Sequence, residues 1–184
     1  NFSEDSLSIY LAMANDLSLS LDKRNQSNGK AFSIIANQSN SSNSIDNLFR
    51  VANRYYNMDK LGNFKKTIDV ILERSIARGD TLSKTKAYSY LGDFYVSQAV
   101  SDSAFLYYSR AEKLYLQRND IYNLARTRLN KAILQFNEGD FIGSEIAVFS
   151  ALRAIKKEKA SDVLYIAYNH LALIHNELRD YNRA

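Results

Sequence analysis

Residues 90–111 read YLGDFYVSQAVSDSAFLYYSRA. Six aromatic residues crowd this stretch, yet Gly92, Ala99, Ala104 and Ala111 stand among them. Large rings beside the smallest side chains imply helices that cross closely, with rings filling the space next to each crossing. Counting in steps of forty extends the pattern along the chain. From Gly92 the step reaches Ala52, Ala132 and Ala172, and from Ala111 it reaches Ala31, Ile71 and Ala151. The joints recur with the same beat, as Ser39-Asn40, Gly79-Asp80, Asn119-Asp120 and Lys159-Ala160. A fixed period of this length marks stacked units, none of which can bury its apolar face alone.

Each unit reads as two helices. Apolar spacing predicts helices at 4–15, 20–37, 44–58, 62–78, 83–98, 102–118, 122–138, 141–156 and 162–178. In 102–118, Ala104, Tyr107, Tyr108, Ala111, Leu114 and Tyr115 follow the three-and-four rhythm of one helical face. Strand-like alternation is not sustained anywhere. Ser44 is expected to cap the third helix, Ser101 or Asp102 the sixth and Asp140 the eighth, by accepting bonds from first-turn amides. The polar run NQSNSSN at 37–43 is expected to form a mobile joint. Gly92 lies mid-helix, where glycine costs about 1 kcal/mol relative to alanine. Close approach of the paired helix is the expected compensation.

Composition sets the bounds. The chain has 184 residues, 46% hydrophobic and 24% charged, which suffices for a core. Proline is absent and glycine occurs six times, so little interrupts long helices. Without cysteine there are no disulfides, thiolate metal sites or cysteine nucleophiles. No apolar run approaches the roughly 20 residues that span a bilayer. The chain begins at Asn1 and stops within a repeat at Ala184, so it reads as a fragment or processed form, with any membrane anchor outside it. The net charge of +4 is spread along the chain, and nucleic-acid contacts are not expected. The densest basic tract, Arg153 to Lys159, reads as a helix C-terminus whose cations complement the carbonyl end.

No catalytic, cofactor or metal constellation emerges. His170 and His175 are the only histidines. Five residues on a helix turn the second ring about 140° from the first, which does not suit joint ligation. His175 reads as a packing or bridging residue and His170 as facing a groove. Asn28-Gly29-Lys30 lacks the flanking residues of a phosphate loop and reads as helix interior. Gly143-Ser144 lacks the second glycine of a nucleophile elbow. Arg78-Gly79-Asp80 reads as a helix-ending glycine followed by a cap.

The pattern resembles the tetratricopeptide repeat. Leu91-Gly92 and Tyr95 match its first helix, and Ala104, Tyr108 and Ala111 its second. Ala132, Gly139-Asp140-Phe141, Ser144 and Ala151-Leu152 match in the next unit, and Leu171-Ala172, Asp180-Tyr181 and Ala184 in the last. Val51-Ala52 and Tyr55 match more weakly, with Phe64 where a small residue belongs. The period is forty rather than the family's usual value of about 34. The resemblance implies an all-α fold, a right-handed superhelix of antiparallel helix pairs. Residues 1–43 would form N-terminal helices, a degenerate repeat or cap. Repeats would follow at 44–83, 84–123, 124–163 and, truncated, 164–184. Segments such as KAYSYLGDFYVSQAVSDSAFLYYSRAEKLY also resemble the tetratricopeptide regions that precede membrane and output domains in signalling regulators of Bacteroidota-type bacteria.

The resemblance implies a groove lined by the first helix of each unit. Its positions would be Asp46, Phe49, Asn53 and Tyr56, then Lys86, Ser89, Asp93 and Val96, then Arg126, Leu129, Ile133 and Phe136, then Ile166, Asn169, Leu173 and Asn176. Tyr90, Asn130 and His170 would stand at the margins. Amides, cations and rings in this mixture suit an extended peptide or a partner helix. The expected function is a non-catalytic protein- or peptide-interaction scaffold, the sensory or assembly region of a bacterial regulator. The periplasmic side of a membrane is the leading location, and homo-oligomers are a further expectation. The alternatives are a cytoplasmic peptide-binding regulator and, more remotely, an RNA-binding helical repeat.

Overall fold

The computed structural model describes residues 2–155 and 160–181. The described residues form nine α-helices and no strand: α1 (Phe2–Asn15), α2 (Leu21–Ala36), α3 (Ser42–Asn57), α4 (Leu61–Arg78), α5 (Thr81–Ser97), α6 (Ser101–Gln117), α7 (Ile121–Asn137), α8 (Phe141–Ala154) and α9 (Ser161–Tyr181). They pack as sequence-adjacent pairs, an all-α, repeat-like fold. Leu21, Leu61, Ser101 and Phe141 open the second helices of successive pairs, forty residues apart. Residues 156–159 of the basic tract, and Ala184 of the last repeat motif, lie outside the described residues.

The joints explain the regularity. Asp59, Gly79, Ala99, Asn119 and Gly139 all have positive φ, and they stand twenty residues apart. At each, the amide of the following residue donates to a carbonyl five positions back. Lys60, Asp80, Val100, Asp120 and Asp140 bond Tyr55, Ser75, Tyr95, Tyr115 and Gln135 at 2.8 to 3.0 Å. This is the Schellman closure, which satisfies orphan carbonyls and reverses the chain within a few residues. Glycine adopts the left-handed conformation at no steric cost, whereas Ala99 holds it against a penalty of about 1–2 kcal/mol. Nothing in the residue type at position 99 announces that role.

Two expected caps are corrected. Ser41, not Ser44, caps α3; its Oγ accepts from the Ser44 amide at 3.1 Å while the Ser44 hydroxyl accepts from the Ser41 amide at 3.0 Å. Ser44 is thus the inner member of a capping box. Val100 occupies the cap of α6 and supplies no side-chain bond, and Ser101 instead donates to Glu138. Asp140 caps α8 as expected, accepting from the Gly143 amide at 2.9 Å. Asp80 behaves likewise toward the Ser83 amide, as the sequence Arg78-Gly79-Asp80 implied.

The joint at 37–43 is clamped rather than loose. Arg74, on α4, donates to the carbonyls of Ile35, Ala36 and Gln38 and to the Ser44 hydroxyl. Arg78 donates to the Asn40 carbonyl at 2.6 Å and the Ser42 hydroxyl at 3.1 Å. Asn40 returns a bond to the Arg74 carbonyl. The Arg74 guanidinium therefore satisfies the last carbonyls of α2, a site where a cation also complements the helix dipole, and Arg78 ties down the joint that follows.

The chain forms two compact units, Asn1–Tyr90 and Leu91–Ala184, whose boundary falls inside α5. In the first, Ala31, Ile35, Ile45, Leu48, Val51, Ala52, Ile68 and Ile71 are wholly buried. In the second, a core from α7, α8 and α9 gathers Ala125, Ala132, Val148, Ala151, Val163, Ala167 and Ile174. All four members of the Ala31, Ile71, Ala111, Ala151 series are at zero exposure. Ala52, Gly92 and Ala132 are buried too, whereas Ala172 is exposed.

The crowding of rings around Gly92 has a specific cause. A Cβ at Gly92 would lie 2.4 Å from Cδ1 and Cε1 of Tyr108. The glycine thus accepts the face of a ring from α6, where close approach of helix backbones had been expected. The Tyr108 ring is 2% exposed, and its hydroxyl donates to Asp93 Oδ1 at 2.7 Å.

Candidate functional site

In the first unit, the expected groove residues collect around a run of rings. Tyr90 meets Phe49 edge-on at 5.4 Å between centroids and stacks on Phe64 at 6.0 Å, and Phe64 meets Tyr56 at 5.2 Å. The Lys86 ammonium lies 4.3 Å from the Phe49 centroid and 5.8 Å from that of Tyr90. Burial pushes the Lys86 amine below its usual range, and the carboxylate of Asp46 opposes that shift. Asp46, Tyr56 and Lys86 face solvent, and Tyr90 is half-buried. Phe49 is only 4% exposed, so it forms the floor beneath Lys86 rather than the lining. Asn53 is exposed but stands apart from the ring contacts.

Phe64 was not anticipated in this set. Its signal was the large residue at a position held by Ala104 and Ser144 in later pairs. The ring fills the space those small residues leave and links Tyr56 to Tyr90.

The second unit presents a different arrangement. Asp93 accepts from Tyr108; burial pushes its carboxyl up, while the Tyr108 bond and the charge of Arg126 pull the other way. The Arg126 guanidinium carbon lies 5.8 Å from the Tyr122 ring centroid. The Tyr122 hydroxyl donates to Asp162 Oδ2 at 2.6 Å, which raises the phenol and lowers the carboxyl. Arg126 is thus placed between two acidic groups, on α5 and α9. Tyr122 and Asp162 were not singled out from sequence; they lie forty residues apart, and that spacing was the available signal.

Asn130 is half-buried and Asn169 exposed. His170 does not face a groove. It is 6% exposed, packed edge-on against Phe136 at 5.1 Å, with Nε2 3.0 Å from the Ser144 hydroxyl. That hydroxyl donates to the Ala132 carbonyl at 2.7 Å, so it accepts from an Nε2–H of the neutral ring. Burial lowers the His170 pKa accordingly. His175 is the exposed histidine, bridging to Glu145 at 2.8 Å. Leu129 is buried as well, so it lines nothing.

The first helices of this unit expose four apolar side chains, two of which, Ile133 and Leu173, share a register. Val96 belongs to α5, Ile133 to α7, and Ile166 and Leu173 to α9, and each is at least one-third exposed. Ile133 and Leu173 are forty residues apart, as are Arg126 and Ile166. Single exposed apolar residues are ordinary; four on the first helices of one unit are the observation of interest. Among the described residues no group of three or more His, Cys, Asp or Glu could hold a metal ion. No helix among them is long and apolar enough to cross a membrane.

No family model matches the chain, and no curated protein matches it. Among solved structures, the crystal structure of BtubC (BKLC) from P. vanneervenii is similar in fold, with a TM-score of 0.65 at 12% identity, over 99% of this chain and 84% of that one.

Proposed function

We propose that this chain is a non-catalytic interaction module of tetratricopeptide type that holds a peptide or helix of a protein partner on its first-helix faces. The observation that supports this most is the second unit's exposed Val96, Ile133, Ile166 and Leu173 on first helices that also expose Arg126 and Asn169. These apolar positions accept a partner's side chains, while the amide and guanidinium bond its backbone or a carboxylate. The ring run topped by Lys86 gives the first unit a second contact surface of aromatic and cationic character.

In this reading the module is the sensory or assembly region of a bacterial signalling regulator, on the periplasmic side of a membrane, and partner binding biases an output domain. The test is a peptide library panned against the chain, with recovered peptides titrated by calorimetry. Arg126→Ala and Leu173→Ser are expected to weaken binding at least tenfold, equal to about 1.4 kcal/mol each. Unchanged affinity in both variants rejects the assignment of this face.

A further inference from the structure

A second surface of the Leu91–Ala184 unit lies between its second helices. A cavity of about 270 Å³ opens between α6 and α8, with α7 as its floor. Phe105 forms one wall and Ile146 the other, and the floor carries Arg128 and Lys131. Lys131 Nζ lies 4.4 Å from the Phe105 ring centroid and 2.8 Å from Glu112 Oε2. Arg128 bonds Glu112 Oε1 at 2.9 Å and the Ser150 carbonyl at 3.1 Å. Two cations and one carboxylate leave the floor with one net positive charge.

Ile146 of the cavity lining belongs to an exposed apolar stripe of α8 that α4 lacks. Along α8, Ile142, Ile146 and Phe149 follow one helical face at 65%, 60% and 45% exposure. The same positions on α4 are Gly62, Lys66 and Asp69, all exposed. A second helix of this fold therefore does not require apolar residues on that face. The α8 stripe ends at Arg153, and Lys113 holds the equivalent position on α6; both are exposed.

We propose that the α6–α8 groove docks an acidic amphipathic helix of a partner protein. Apolar side chains of the partner cover Phe105, Ile146 and Phe149. Its carboxylates meet Lys131 and Arg128 on the floor and Lys113 and Arg153 at the end of the stripe. Charge decides between occupants. A second copy of this chain carries a net +4 and brings like charge to a basic groove, whereas an acidic helix complements it. This surface is separate from the first-helix face that contains Arg126, so the two readings fail independently.

The test measures fluorescence anisotropy of a labelled peptide of about 16 residues with Leu spaced three and four apart and Glu elsewhere. Its counterpart carries Lys in place of every Glu. Phosphatidylserine–phosphatidylcholine vesicles form a third arm. The acidic peptide is expected to bind, more weakly as salt is raised. Ile146→Glu and, independently, Lys113→Glu are expected to weaken it by about tenfold or more. Lys66→Glu, at the register of Ile146 on α4, is expected to leave it unchanged. Both groove substitutions are at exposed positions, so loss of binding with an unchanged helical spectrum is not unfolding. Failure of the acidic peptide to bind, equal binding of the Lys peptide, an unaffected Ile146→Glu variant, or binding to vesicles alone each overturns the proposal. Self-association of the parent chain that Ile146→Glu abolishes overturns it in favour of a second copy.

Discussion

Adding one methyl group at Gly92 tests the packing logic of the repeat. The new carbon would lie 2.4 Å from two atoms of the Tyr108 ring, against an ordinary carbon contact of about 3.5–4.0 Å. The ring must retreat by more than about 1 Å. It is buried, and its hydroxyl is tied to Asp93 at 2.7 Å, so retreat breaks that bond or moves α6. Overpacking of this kind costs about 1–3 kcal/mol, and the bond to a charged acceptor is worth about 1.5–3 kcal/mol. Replacing a helical glycine by alanine returns about 1 kcal/mol. Gly92→Ala is therefore expected to destabilise by up to about 2 kcal/mol where the Asp93 bond survives and by about 1.5–5 kcal/mol where it is lost. Urea unfolding followed by circular dichroism reads the change. The decisive arm is the Tyr108→Ala background, where the obstructing ring is gone. There Gly92→Ala is expected to stabilise by about 1 kcal/mol, a reversal of sign. Equal effects in both backgrounds, or a stabilised single variant, would refute the claim that the ring excludes a side chain at position 92.

Two further expectations concern stability. Arg74→Ala removes the donor to three carbonyls at the α2 end and is expected to cost about 1.5–3 kcal/mol. Amides of residues 37–44 should then exchange faster, and unchanged exchange there would show that the joint does not depend on Arg74. Acidity separates Asp93 from Glu112. The folded pKa of Asp93 is raised, so its contribution is most favourable below the ordinary carboxylate range and is lost as pH rises through the folded value. Asp93→Asn should therefore gain stability relative to the parent as pH is raised from about 4 towards 7. Burial would push the Glu112 carboxyl up, but the bonds from Lys131 and Arg128 outweigh it and hold the pKa low. Its contribution is present at neutral pH and lost as pH falls through the folded value, so Glu112→Gln should lose most at neutral pH and least in acid. Urea midpoints across pH that move in the same direction for both variants would contradict these assignments.

The helices and their beat were legible because burial repeats where small and apolar residues repeat. Ala31, Ile71, Ala111 and Ala151 sit in one register and are all buried. What was not legible depended on contacts between distant residues. The run SNSSNS at 39–44 offers several residues able to cap, and only the start of α3 at Ser42 selects Ser41. Arg74 reaches residues 36 to 39 positions back, so nothing local to NQSNSSN shows that it is clamped. His170, expected at a groove, is buried for a similar reason, while His175 bridges to Glu145, one of its expected roles. Each lies on α9, but only the position of Ser144 and Phe136 decides which face of that helix is covered. Of the residues expected at a groove, Phe49, Leu129 and His170 are buried by packing that their own sequence positions do not reveal.

The left-handed residues at 59, 79, 99, 119 and 139 have an evolutionary corollary. Because these five chain reversals have the same form and fall at the same interval, a cut at one and a splice at another would rejoin matching ends. Whole hairpins could be gained or lost by recombination between such points without redesign of the flanking helices. A gain or loss of a single residue has no such neutrality. It would turn every following helix by about 100° about its own axis and present the wrong side chains to its neighbour.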